Sequence, residues 1–388
     1  MNPQTCRVQA RRFFSFAALT AVLLGSAIAA SPISAADFVT KEVPLAMGNG
    51  ASDYWTPERL ANAQPLVLPE ASAASVWETT AEAIMAQAGS PVSSKAHGPL
   101  VKVTPDRANK LFNPISVIQQ QSGSAVEPQD KGTFNSHFTS SRLTPIGADT
   151  AYPYRTVGKL FFTQPGVGNF VCSASVIQRR VVLTAGHCVH KGSGSSSGFY
   201  TNFLFVPAYR DGVAPFGPWE VAYVTTTSAW ATGGGVVPNA ADYAMFEMQD
   251  SVIESTTRRI GEVTGWLGWQ TQSLIPNHAH LLGYPASFDS GAKMHQVTAG
   301  SYRAVTPNNA EYGSDMTGGS SGGPWVQNFG AKAAGQLNGL NPGRNMVIGV
   351  TSYGYVSANP KVQGSSIPDS RFVNIFNTIC AHRAGNCE

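Results

Sequence analysis

From Tyr152 onward the chain breaks into short apolar runs with frequent turn residues between them, and this spacing confines it to antiparallel β structure. The runs Val157–Phe162, Phe170–Ile177, Val181–Thr184, Phe203–Val206, Glu220–Thr225 and Tyr243–Met248 predict one group of strands. Leu281–Tyr284, Trp325–Gln327 and Met346–Tyr353 predict members of a second. Apolar residues at helical spacing over Asp369–His382 predict a closing amphipathic helix. About 235 residues suffice for two six-stranded antiparallel β-barrels. The expected class is all-β, with a first barrel near 150–250, a second near 255–368 and the helix near 369–383.

The N-terminal third has another character. Arg7, Arg11 and Arg12 precede an apolar stretch, Phe13–Leu24, that is too short to span a bilayer. Ser26, Ser31 and Pro32 end it early, which argues against a membrane anchor, and Ala27-Ile28-Ala29 and Ile33-Ser34-Ala35 offer cleavage sites for an export signal. Residues 36–142 are rich in Ala, Pro, Ser and Gln, with one helix expected at Ala71–Gln87 and a linker at Gln119–Ser124. This region reads as a prosegment, with a weakly ordered accessory domain as the alternative and Arg142-Leu143 as a cut site. The expected organisation is signal 1–35, prosegment 36–142 and folded domain 143–388, with release outside the cytoplasm (medium or periplasm) and no membrane attachment once the signal is gone.

Charge excludes one class of partner. A net charge of +3 over 388 residues, only 13% of them charged, supplies no basic stripe for nucleic acid. Of five cysteines, Cys6 leaves with the signal; Cys172, Cys188, Cys380 and Cys387 remain, an even number suited to an oxidising compartment. Neither spacing fits a zinc-ligand pattern.

Two stretches carry chemistry: Leu183-Thr184-Ala185-Gly186-His187-Cys188 and Gly318-Gly319-Ser320-Ser321-Gly322-Gly323-Pro324. A serine hydroxyl needs an adjacent base, and an imidazole is suited to that because its pKa lies near the working pH. Glycines beside the serine let backbone N–H groups approach a developing oxyanion. A carboxylate must orient the imidazole. Of Asp211, Asp242, Asp250, Asp289 and Asp315, only Asp242 leads directly into an apolar run, Tyr243-Ala244-Met245-Phe246; the first, third and fourth sit in turn-like settings. The histidine pairs His278-x-His280 and His187-x-x-His190 lack a third ligand, so no metal and no cofactor is expected.

In these stretches, and in the order His187, Asp242, Ser321, the chain resembles the chymotrypsin/trypsin-like serine endopeptidases, most of all their glutamyl-endopeptidase branch. The resemblance covers roughly residues 150–380 and includes Tyr152-Pro153-Tyr154-Arg155, Pro207–Gly212 and Gly283-Tyr284-Pro285. It implies that Ser321 is the nucleophile, His187 the base, Asp242 its orienting carboxylate, and the N–H groups of Gly319 and Ser321 the oxyanion hole. It also implies that Ser352-Tyr353-Gly354 pair with a bound peptide backbone, and that Cys172–Cys188 and Cys380–Cys387 are bridged. The partners would be protein or peptide substrates, met by a monomer; a catalytically silent binding protein on the same fold is the other class.

Two departures stand out. Trypsin's Asp before the nucleophile is Ser320 here, so activation by ion pairing to a new N-terminus is not available. Thr351 and Ser352 stand where the glutamyl branch places a histidine, whereas Asp315 occupies the pocket-floor position of trypsin-like enzymes. Asp315 either favours Lys or Arg on the acyl side of the cut or bonds only loop backbone; a Glu preference is the rival specificity.

Overall fold

Twelve strands of the computed structural model make two barrels with one pairing order used twice. The first comprises β1 (Val157–Gln164), β2 (Gly168–Val176), β3 (Val181–Thr184), β4 (Thr201–Pro207), β5 (Trp219–Thr227) and β6 (Ala244–Met248). It closes in the order β1-β2-β3-β6-β5-β4-β1, every pair antiparallel. The second comprises β7 (His278–Gly283), β8 (His295–Thr306), β9 (Asn309–Gly313), β10 (Pro324–Gln327), β11 (Met346–Val350) and β12 (Val362–Ser366), in the order β8-β9-β12 on one side of β7 and β10-β11 on the other. Its remaining edge closes just past β11, where the Ser352 N–H donates to the Gly364 carbonyl and Gly364 bonds back to Tyr353. The expected two-barrel architecture is the one observed.

The structure describes residues 37–43, 50–72, 76–87, 90–113, 136–194, 196–330, 341–355 and 361–388. The expected export signal, its cleavage sites and the Gln119–Ser124 linker lie outside them.

Large side chains fill both barrels. Leu160, Phe162, Phe203, Phe205, Trp219 and Phe246 are buried in the first, and Leu281, Val297, Tyr312, Trp325 and Ile348 in the second. Each such burial is worth roughly 1.5–3 kcal/mol. The helix Ser370–His382 starts where the Asp369 carboxylate accepts the Arg371 N–H, and it buries Phe372, Ile375, Phe376 and Ile379, one stripe at helical spacing. Disulfides join Cys172 to Cys188 and Cys380 to Cys387, with Cα separations of 6.3 and 5.3 Å.

The helix expected at Ala71–Gln87 is mostly absent. Glu70–Ala71 and Trp77–Thr79 are strands, and the helix spans only Ala81–Gln87, opened by the Thr80 hydroxyl accepting the Ala83 N–H. The aromatic and β-branched residues at 77–79 instead take a free edge of β8, from Trp77↔Thr306 to Thr79↔Ala304, so tertiary pairing overrides the alanine-rich composition. Other parts of 36–142 behave alike. Phe38–Glu42 adds a strand to β5, and Phe138–Arg142 adds one to β8. Trp55 and Leu60 bury beside Phe161 and Leu204. Among the described residues this region lends strands to the barrels and has no core of its own.

Candidate active site

Strand pairing brings two of the expected groups together. Ala244 of β6 faces Thr184 of β3, so the residues just before β6 and just after β3 meet at one end of the first barrel. Asp242 is fully buried there. Its Oδ1 accepts the His187 backbone N–H at 2.8 Å, and its Oδ2 lies 2.8 Å from His187 Nδ1 and accepts the Ser352 hydroxyl at 2.6 Å. The Asp242 N–H in turn donates to Ser366 Oγ at 2.9 Å. With Nδ1–H donating to the carboxylate, Nε2 is left as the acceptor, the tautomer a general base needs. His187 sits on the single turn Gly186–Cys188, held from one side by the disulfide and from another by the edge of Trp230.

Ser321 comes from the turn that feeds β10. The glycines around it are there for space and for backbone geometry. Gly322 has φ +75°, and a Cβ on it would come within 2.1 Å of Thr184 Oγ1; Gly319 has φ +91°, and its Cβ would come within 2.5 Å of the Tyr284 carbonyl. The turn is clamped from β2: the Ser173 N–H donates to the Ser321 carbonyl at 2.7 Å, and the Ser173 hydroxyl to the Gly319 carbonyl at 2.9 Å.

The two adjacent serines differ in their commitments. Ser320 Oγ donates to the Thr317 carbonyl at 2.7 Å and accepts from Gln363 Nε2 at 3.1 Å, so it is fixed in the loop. Ser321 Oγ and His187 Nε2 are both buried and have no hydrogen-bond partner among the described residues. Buried polar atoms are usually paired, so these two are candidates for contact with a bound group.

Asp315 is engaged. Its Oδ1 accepts the Ser140 hydroxyl at 2.8 Å, and that hydroxyl also lies 2.6 Å from His295 Nε2. Ser140 belongs to the strand Phe138–Arg142, so a residue of the N-terminal region holds the carboxylate. Burial pushes the His295 imidazole down to about 4, with Asp289 opposing and Arg142 reinforcing. The edge Ser352-Tyr353-Gly354 runs past Asp242, and the buried Tyr353 hydroxyl donates to Glu311. Of the sequence's histidine pairs, His280 Nε2 meets Gln296 and His190 Nδ1 accepts the Gly192 N–H. Among the described residues one group of potential ligands lies close enough to share an ion, Cys172, His187 and Cys188, and its two sulfurs are bonded to each other.

Ser366, Ser173 and Gln363 escaped the sequence reading. They are isolated polar residues, and no motif distinguishes them from solvated ones.

No protein-family model matches the chain. It is 27% identical over 188 residues to a glutamyl endopeptidase of Bacillus licheniformis, covering 48% of this chain and 52% of that one. It is 22% identical over 190 residues to a Bacillus subtilis protein called an extracellular metalloprotease, covering 48% and 56%. The chain thus spans about half the length of the curated relatives it matches. Its structure is similar to that of the protease Anisep from Arthrobacter nicotinovorans, with a TM-score of 0.50 at 28% identity, covering 63% of this chain and all of the other.

Proposed function

We propose, from the premise that this chain belongs to the trypsin/chymotrypsin-like serine endopeptidase family, that it hydrolyses peptide bonds in proteins through Ser321, His187 and Asp242. The observation that carries the reading is the pairing of His187 Nδ1 with a fully buried Asp242, with His187 Nε2 and the Ser321 hydroxyl both unpaired among the described residues. Ser321 Oγ attacks the scissile carbonyl as His187 takes its proton; His187 then protonates the leaving amine, and water repeats the sequence on the acyl-enzyme. The N–H groups of Gly319 and Ser321 receive the oxyanion, where one donor is worth about 10²–10³ in rate. Ser352 steadies Asp242 while its backbone and that of Gly354 offer an edge to the substrate strand.

The chain is made as a zymogen and acts outside the cytoplasm, where its two disulfides persist. Residues before about 145 form the prosegment. Their removal takes Ser140 away from Asp315, and a carboxylate at the pocket-floor position favours Lys or Arg on the acyl side. A Glu preference is the second reading, favoured by the likeness to a glutamyl endopeptidase. Cleavage-site profiling on a peptide library, with N-terminal sequencing of the active form, tests these points together. Hydrolysis after Lys or Arg by a form starting near 145 is expected; activity in a form that still begins near residue 36 would contradict the prosegment.

A further inference from the structure

A segment of the N-terminal region passes through the cleft, tied to its walls by backbone hydrogen bonds. The Leu66 N–H donates to the Val171 carbonyl at 3.0 Å, the Gly319 N–H to the Leu66 carbonyl at 3.0 Å, and the Gly354 N–H to the Pro69 carbonyl at 3.1 Å. Gly318 lies directly beneath: a Cβ there would come within 2.7 Å of the Leu66 carbonyl oxygen and 3.3 Å of Val67 Cα. Both ends are tied down. Trp55 and Leu60 are buried on one side, with the Trp55 indole N–H donating to the Asn202 carbonyl at 2.6 Å, and Ala71 is buried against Trp230 and Tyr353 on the other.

The direction of this segment is opposite to that of a substrate. A leaving nitrogen must face His187, and the Cys172–Cys188 disulfide ties His187 to the Val171 side of the cleft. Acyl residues then lie along Ser352–Gly354, so a productive peptide runs N to C from Gly354 toward Val171. Here Gln64–Pro65 pair in parallel with Phe170–Val171, and Glu70–Ala71 pair in parallel with Gly354–Tyr355. Leu66 gives its carbonyl to an oxyanion donor, but the Val67 nitrogen lies on the Gly354 side, away from the acid that would protonate it.

We propose that residues 64–71 are a reversed strap that fills the cleft of the intact chain and that the site cannot cut, a regulation that rests on the catalytic reading of Ser321, His187 and Asp242. The strap loosens once the chain is cut, because each half is then held from one end only. A peptide of its sequence is then an inhibitor of the opened site.

The test uses the full-length chain with a site-specific protease sequence inserted between Val67 and Leu68, where Val67 is 73% exposed. Labelling of Ser321 by a fluorophosphonate is timed before and after the folded chain is cut there, and amide exchange at Leu66, Gly319 and Gly354 is followed in the same samples. Exchange should be slow in the uncut chain and fast after cutting, and labelling should rise about tenfold or more, because reactivity scales with the unoccupied fraction. Leu66→Pro, which removes the donor to Val171, should raise labelling likewise. A synthetic peptide of residues 61–72 added to the cut chain should slow labelling again and emerge whole. Equal labelling before and after cutting with fast exchange in the uncut chain, or a peptide cleaved at Leu66-Val67, overturns the strap. Slow exchange that is lost on cutting, with no labelling in any form, upholds the strap and overturns Ser321 as nucleophile instead.

Discussion

Asp242 holds His187 at two points at once: Oδ1 accepts its backbone N–H and Oδ2 meets its ring Nδ1, each at 2.8 Å. One carboxylate therefore sets both where the imidazole sits and which nitrogen carries the proton. Asp242→Asn keeps the shape but puts an amide against Nδ1, which favours the wrong tautomer. The expected outcome is a fall in kcat of about 10⁴-fold with the thermal transition little changed. Fluorogenic peptide hydrolysis and calorimetry measure the two, and activity within tenfold of the parent would mean that Asp242 does not set the tautomer of His187.

Ser352 supplies the third hydrogen bond to that carboxylate, at 2.6 Å and fully buried. Hydrogen bonds to buried charged groups are worth about 1.5–3 kcal/mol, so Ser352→Ala should lower kcat by roughly tenfold or more while KM stays nearly constant. A change confined to KM would place Ser352 in substrate binding only.

The Cys172–Cys188 bridge spans a sequence separation of 16 and Cys380–Cys387 one of 7. In the chain-entropy view the first contributes about 3 kcal/mol and the second somewhat less. Replacing each pair by alanine and comparing urea midpoints should give that order. The first pair should also reduce activity, since it anchors the turn that carries His187.

Lys159 is buried with Nζ donating to the Gly291 carbonyl at 2.9 Å, and burial pushes its ammonium down to about 7 from 10.5. Between those values the unfolded chain binds more protons than the folded one, so this residue makes stability rise with pH from about 7 to 10.5. His295 acts with the same sign between about 4 and 6.5, where acid protonates the unfolded imidazole first. Urea unfolding across these ranges should show a shallower slope in Lys159→Met above pH 7 and in His295→Phe below pH 6.5. Unchanged slopes would remove these two groups from the acid–base balance of folding.

The first barrel was legible because its strands put apolar side chains into a core: Val181–Thr184 appears with the expected bounds and Thr201–Pro207 within a few residues of them. Strand β12 was not, because Gln363, Ser365 and Ser366 are buried polar residues that hold the site instead of filling a core. Gln363 fixes Ser320, and Ser366 receives the Asp242 N–H. The strap was invisible for another reason. Gln64–Ala71 contains two prolines and reads as loop, and its place is set by backbone bonds that leave no periodicity in the sequence. Ser321 and Asp242 could be read from their flanking residues, whereas the bonds to Thr317 and Gln363 that set Ser320 apart from Ser321 could not.

That last distinction is the most direct test. The protein freed of its N-terminal region is treated with a fluorophosphonate, and the modified residue is located by peptide mass mapping in parent, Ser320→Ala and Ser321→Ala chains. The expected result is an adduct on Ser321 in the first two, none in the third, and loss of hydrolysis by about 10⁴-fold or more only in Ser321→Ala. An adduct on Ser320, or undiminished hydrolysis by Ser321→Ala, would contradict the account.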